Sequence, residues 1–282
     1  MDNLIEIKNL VKKYGNKVVL NGINAEFKSG KIIAIVGENG SGKTTLFKIL
    51  LDLTMKTQGE INTKEDIFIN GIIETPRFFN NMTGYENIKA LSYKANIDRD
   101  KLIKIAKDFN IESSLSLQVK KYSLGMKRKL ALVHIFLSNS DVILLDEPTN
   151  AIDIEALVVL KKYLLDLKQQ GKLILIASHD YKYLRSFVDT IYEIKDGILN
   201  SVLNDCESII ESHLFELIDM TKALQIAKNN NFFYKAKENE ILIIDEENIK
   251  VEDIFKLFSE CGIEKYTHYK NSELIINNFN LL

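Results

Sequence analysis

Two short stretches carry residues whose types and spacing suit phosphoryl chemistry. "GENGSGKTT", Gly37 to Thr45, fits the pattern G-x-x-x-x-G-K-[ST]. Gly37, Gly40 and Gly42 let backbone N–H groups face phosphate oxygens at a helix N-terminus, where the helix dipole favours anions. Asn39, Ser41 and Thr45 complete that cradle, Lys43 is spaced to reach the outer phosphates, and the Thr44 hydroxyl is spaced to hold Mg²⁺. A glycine turn that merely contains a Lys is the competing reading; the apolar run before it and the helical pattern after it speak against that.

The second stretch, "VILLDEPT", ends an apolar run in Asp146 and Glu147. One carboxylate there can bind a Mg²⁺ complex while its neighbour orients water. By itself an acid pair at a strand end is more often a helix cap, so the pair gains its meaning from the phosphate loop. In "KYSLGMKRKLALVHIFL", Ser123 and Gly125 precede an amphipathic pattern, which makes a second anion-binding helix N-terminus or an ordinary Ser cap.

These residues need elements to hold them. "KIIAIVG" before "KTTLFKILLDL", "DVILLDE" before "IEALVVLKKYLLDLKQQ" and "KLILIAS" before "YKYLRSFVD" alternate apolar runs with helical patterns. That is the signature of parallel strands covered on both faces, an α/β core; the phosphate-loop motif set between strand and helix makes a P-loop NTPase fold the expectation. "LIEIKNLVKKYG", "KVVLNGINAEFKSG" and "GEINT" predict an antiparallel β subdomain, and residues 83–138 a helical subdomain. The character changes at about residue 204. The chain is therefore divided into 1–203 and 204–282, the latter a small α+β C-terminal module.

Composition narrows the function. With 37 basic and 39 acidic residues among 282, the net charge of −2 gives no field for nucleic acid. Cys206 and Cys261 are too few for a disulfide framework or a zinc cluster and read as small buried thiols of a reducing compartment. "MDNLIEIKNLVKKYG" lacks the apolar core of a signal peptide, and no apolar run approaches the roughly 18 residues a bilayer requires. The expected place is cytoplasmic.

Together the motifs resemble the ATP-binding subunits of ABC transporters, in full order over residues 1 to about 200. The family signature LSGGQ appears as "YSLGM", with Ser123 and Gly125 kept and Leu124 and Met126 departing. The resemblance implies that Tyr14 stacks on adenine, that Asp153 in "NAID" lies in the loop joining two subunits, and that His179 in "IASHD" contacts the γ-phosphate. Glu147 would be the catalytic acid/base residue and Asp146 a Mg²⁺ ligand. It also implies ATP and Mg²⁺, a homodimer sandwiching ATP between one copy's phosphate loop and the other's Ser123 region, and separately encoded integral membrane permease subunits. The subunit would then sit peripherally on the inner face of the membrane. The tail resembles, more loosely, the C-terminal module of bacterial peptide-antibiotic resistance exporters.

"GIIETPRFF" places Glu74 where the family usually has a Gln, in a loop that touches Mg²⁺ and water and leads to the membrane subunit. That exchange resembles the subgroup that exports lantibiotics and confers self-immunity. Glu74 is thus a candidate catalytic and metal-facing residue; a solvated loop acid is the alternative. The alternative function is a soluble, non-transport ATPase of the same superfamily acting on ribosomes or DNA. Such chains resemble two cassettes in tandem or a cassette split by coiled coil, and neither pattern is present.

Overall fold

The computed structural model describes residues 2–74, 76–92, 97–179, 182–204, 211–230, 232–245 and 251–269. Two compact units emerge, Met1–Tyr181 with Phe187–Asp205, and Lys182–Ser186 with Cys206–Leu282.

The first unit begins with two long strands, β1 (Asn3–Tyr14) and β2 (Lys17–Lys28), paired antiparallel. Next come β3 (Ile32–Val36) and α1 (Lys43–Leu50), then β4 (Gln58–Thr63), which pairs antiparallel with β1, and β5 (Ile69–Ile72). Helices α2 (Gly84–Leu91), α3 (Arg99–Asp108) and α4 (Leu124–Leu137) follow without a strand between them among the described residues. The core resumes with β6 (Val142–Asp146), α5 (Ile154–Gln169) and β7 (Leu173–Ser178). After the one-turn α6 (Lys182–Arg185) of the second unit, β8 (Thr190–Lys195) and β9 (Ile198–Asn204) close the main sheet.

That sheet has the order β5-β6-β7-β3-β8-β9. All neighbours are parallel except β8 and β9. Every residue of β3, β6 and β7 is buried, as expected of strands with covered faces. The order reverses at β3, and the C-terminal ends of β3, β6 and β7 carry Gly37, Asp146 and His179 to one edge, the usual place of a ligand in an open parallel sheet. One apolar core joins this sheet to the β2-β1-β4 sheet, with Phe27 of β2 and Phe47 of α1 fully buried in it.

Two helices are shorter than the sequence patterns predict. α1 stops at Leu50 because Asp52 turns left-handed (φ 55°) and the amides of Leu53 and Thr54 fold back on the Lys48 carbonyl at 2.8 and 3.3 Å. The pattern "YKYLRSFVD" supports only the single turn α6.

The second unit continues with β10 (Glu211–Leu217), α7 (Met220–Asn229), β11 (Phe233–Lys237), β12 (Glu240–Asp245), α8 (Val251–Phe258) and β13 (Ile263–Tyr269). Its antiparallel sheet runs β11-β12-β10-β13. Phe215, Ile241, Ile254 and Phe258 fill its core, joined by the buried Cys261 thiol. The expectation for Cys206 lies outside the described residues.

Candidate active site

Between β3 and α1 the chain makes the turn that the glycines were expected to permit. Gly37 has φ 151° and Gly42 φ 115°. A Cβ at Gly37 would meet the Ile194 carbonyl oxygen at 2.5 Å, and one at Gly42 would meet Leu20 Cδ2 at 2.7 Å, so both positions exclude any larger residue. No side chain caps the N-terminus of α1 and no acid stands in its first turn. Its leading amides therefore remain available to an anion.

Lys43 is 5% exposed, and its ammonium donates to the carbonyls of Gly37 (2.6 Å) and Glu38 (3.0 Å). Burial lowers its pKa, while the Glu147 and Asp146 carboxylates pull it back up. Thr44 Oγ1 donates to Asp146 Oδ2 at 2.8 Å. Asp146 is 3% exposed, and its Oδ1 is buried with no hydrogen-bond partner. Burial raises its pKa, opposed by the Thr44 hydroxyl and reinforced by Glu147. A hydroxyl beside an unsatisfied carboxylate oxygen is a hard oxygen pair that fits Mg²⁺. Among the described residues no cluster of three or more His, Cys, Asp or Glu could hold a metal by itself. An ion here would need phosphate and water oxygens as well, which is how Mg²⁺ usually binds.

Glu147 sits one residue beyond β6 in a left-handed conformation, φ 50°. Its amide donates to the Ala177 carbonyl (2.9 Å). Its Oε1 accepts from the His179 amide (2.9 Å) and lies 2.8 Å from His179 Nδ1. His179 and Glu147 thus form one unit, with the ring half exposed and the carboxylate largely covered.

Most of these groups line a cleft of about 300 Å³, formed by part of the phosphate loop with Thr45, Glu74, Arg128, Asp146, Glu147 and Asn150; His179 is outside that lining and joins it through Glu147. Asn39, Gly40, Gly42, Lys43 and Thr44 supply the loop's share. Ser41 is part of the loop but outside that lining, and its buried Oγ has no partner. Glu74 reaches the cleft wall with φ 55°, yet its carboxylate is bound by Lys48 of α1 at 2.6 Å rather than by Thr44 or Asp146.

Four expected residues, Tyr14, Ser123, Gly125 and Asp153, lie elsewhere. Tyr14 ends β1 half exposed, under the Lys12 ammonium at 4.5 Å. Ser123 caps α4, accepting from the Met126 amide at 3.2 Å. Asp153 caps α5 through the Ala156 amide (2.9 Å) and pairs with Lys129 (2.6 Å). Gly125 approaches the same loop, since a Cβ there would lie 2.6 Å from the Ala151 carbonyl oxygen.

Sequence reading missed Arg128 and Lys48. Arg128 lines the cleft and donates from Nη1 to the Glu147 carbonyl at 2.7 Å. It stands in the basic run "KRK", which looks like a solvated helix face.

Residues 20–150 match the family model described as ABC transporter. A lantibiotic transport ATP-binding protein of Streptococcus pyogenes, SrtF, is 32% identical over 202 residues, covering 68% of this chain and 88% of that protein. The chain belongs to the ATP-binding subunits of ABC transporters. It is accordingly a nucleotide-binding protein of an ATPase family. The bacitracin transport ATP-binding protein BcrA of Enterococcus faecalis is also 32% identical, over 219 residues, 73% of this chain and 71% of that protein. A solved structure titled "Structure of ATP binding subunit of ABC transporter" shares the fold at TM-score 0.66 and 23% identity, covering 73% of this chain and 91% of that one. ABC ATP-binding subunits dimerise and work with permease components in the membrane. No helix among the described residues of this one is long and apolar enough to cross a bilayer.

Proposed function

We propose that this subunit hydrolyses Mg-ATP to drive export of antimicrobial peptides, in self-immunity or resistance to lantibiotic- or bacitracin-like compounds. The observation that carries the hydrolytic part is the convergence of Thr44, Asp146 and Glu147 on one cleft beside the phosphate loop, with His179 bound to the Glu147 carboxylate. The peptide class is supported by the lantibiotic and bacitracin transport relatives and by Glu74 in place of the usual Gln.

In this reading the Gly37–Thr45 loop and the first turn of α1 bind the phosphates through backbone amides. Lys43 leaves the Gly37 and Glu38 carbonyls for the outer phosphate oxygens. Mg²⁺ held by Thr44 and Asp146 would neutralise charge on the transferring phosphoryl group. Glu147 accepts the proton of the attacking water, and His179 fixes the carboxylate's direction and reaches the γ-phosphate. Tyr14 receives adenine. Ser123 and Gly125 serve the ATP of a second copy, and Asp153 lies at the joint between copies.

The loop from Glu74 to Glu86 is the proposed docking face for the permease. Phe79 (58% exposed) and Met82 display apolar surface there. The buried Asn87 shapes the loop, accepting from the Phe79 amide and donating to the Phe79 and Thr83 carbonyls. The subunit would work on the cytoplasmic face of the membrane.

The test is co-purification from detergent extracts with a chain bearing several apolar 20-residue segments, followed by ATPase assay of the complex with lantibiotic or bacitracin added. Peptide-stimulated hydrolysis is expected. Recovery with ribosomes or DNA and without such a chain would favour the non-transport alternative.

A further inference from the structure

The residues on α4 that face the Glu147–Asp153 loop recur at helical spacing. Gly125 packs against the Ala151 carbonyl, Arg128 donates to the Glu147 carbonyl, and Lys129 pairs with Asp153. Positions i, i+3 and i+4 share one helix face. One face of α4 therefore grips the loop at its beginning, middle and end.

The grip on Glu147 falls where the backbone needs it. A non-glycine residue in the left-handed region is strained and persists only where its surroundings over-determine it. Glu147 is such a residue, and Ala151 (φ 61°) in the same loop is another. The Glu147 amide is tied to β7 through the Ala177 carbonyl, and its carboxylate to the end of β7 through His179. Its carbonyl receives Arg128 Nη1 at 2.7 Å and, more weakly, the Asn150 amide at 3.3 Å. Without Arg128 the peptide joining Glu147 to Pro148 loses its one short anchor. Rotation of that peptide changes where the carboxylate points.

We propose that Arg128 is a positioning residue for Glu147: from α4 it holds the Glu147 carbonyl, and so fixes the direction of the carboxylate that accepts the water's proton. The inference rests on the reading of Glu147 as the base. The guanidinium is costly to keep in place, which argues against an incidental surface contact. Its Nε is buried without a partner, and burial lowers its pKa while Asp146 and Glu147 raise it. Because α4 belongs to the helical part of the unit, movement of that helix would reach the base through the same bond.

The experiment compares Arg128→Gln, Arg128→Lys and Glu147→Gln with the parent, together with the double variant Arg128→Gln/Glu147→Gln. The readouts are single-turnover hydrolysis, steady-state kcat and KM, affinity for a fluorescent ATP analogue, and thermal unfolding. Misplacing a catalytic group by about 1 Å can cost roughly 10²-fold. Arg128→Gln is therefore expected to lower kcat about 10- to 100-fold, with KM and analogue affinity held within about twofold. Arg128→Lys, which keeps a cationic donor, should recover part of the loss. In the Glu147→Gln background the Arg128 change should have no further effect on single turnover. An equal loss in both backgrounds would overturn the proposal, as would a rise in KM at constant kcat, which would mean a phosphate contact. A lowered unfolding temperature with parental kcat per folded molecule would reduce Arg128 to a structural part. Parental turnover by Glu147→Gln itself would overturn the base assignment and this proposal with it.

Discussion

Lys48 Nζ binds Glu74 Oε1 at 2.6 Å, joining α1 to the loop after β5 across 26 residues of chain. Glu74 is thereby tied twice to the cleft, since its backbone also supports the Asp146 carboxylate. A third carboxylate beside Asp146 and Glu147 would repel both if it stood alone. Lys48 compensates that charge. The pair is partly exposed, so it contributes no more than about 1 kcal/mol and an incoming ligand can displace it.

Freeing Glu74 should therefore weaken nucleotide binding. For Lys48→Met we expect ATP affinity to fall about two- to fivefold, within the worth of a surface pair. Adding Glu74→Gln should restore it. Glu74→Gln alone should leave ATPase activity measurable, whereas Glu74→Ala, which removes the oxygen, should slow hydrolysis or uncouple it from resistance. Titration of all four variants with ATP and Mg²⁺ checks this. Identical affinities for Lys48→Met and its double variant would show that the pair plays no part.

Lys43→Ala should abolish measurable ATP binding, because the buried ammonium is the phosphate loop's only side-chain cation. Calorimetry decides it, and unchanged affinity would contradict the phosphate-loop assignment.

Glu147→Gln should bind ATP, lose turnover by about 10²-fold or more, and accumulate as an ATP-dependent dimer on size exclusion. Ser123→Arg added to it should leave binding by the monomer intact and remove the dimer, since the cation would obstruct the second copy's phosphate. Dimers that form as before would mean that Ser123 faces no nucleotide across the interface.

Stability should depend on Asp141 above acidic pH. Its Oδ2 accepts from the Phe68 amide (3.0 Å) and its Oδ1 from Lys172 (3.1 Å), tying together the starts of β5, β6 and β7. The Phe68 amide chiefly, and then Lys172, hold its pKa below the usual carboxylate value against the opposing effect of burial. A depressed folded pKa stabilises above the unfolded value and loses that contribution as pH falls through the folded one. Asp141→Ala should cost about 1–2 kcal/mol at pH 7. The gap between variant and parent should narrow below about pH 4, as read from denaturation midpoints at both pH values.

The parts of the site that were legible in the sequence are those in which spacing along the chain is the geometry. The phosphate loop is one, because each glycine answers to its own backbone angle, and the strand ends carrying Asp146 and His179 are another. The α/β core was legible because β3 is apolar throughout and β6 and β7 are apolar up to their last residues, Asp146 and Ser178. Lys48 and Arg128 were not. Each looks like one more basic residue on a helix, and each acquires its partner, Glu74 or the Glu147 carbonyl, only when the main sheet brings distant segments together. The early end of α1 escaped for a related reason: "KTTLFKILLDL" keeps its apolar spacing past the point where Asp52 turns left-handed.

The central claim, that ATP turnover here drives export of antimicrobial peptides, is tested most directly in cells lacking the gene. Sensitivity to a panel of lantibiotics and bacitracin-like peptides is measured with the gene deleted, restored, or replaced by the Glu147→Gln form. We expect deletion to raise sensitivity to at least one peptide class, the parent to restore resistance, and Glu147→Gln, at equal protein level, to fail. Unchanged sensitivity across the panel on deletion, or full rescue by Glu147→Gln, would contradict the account.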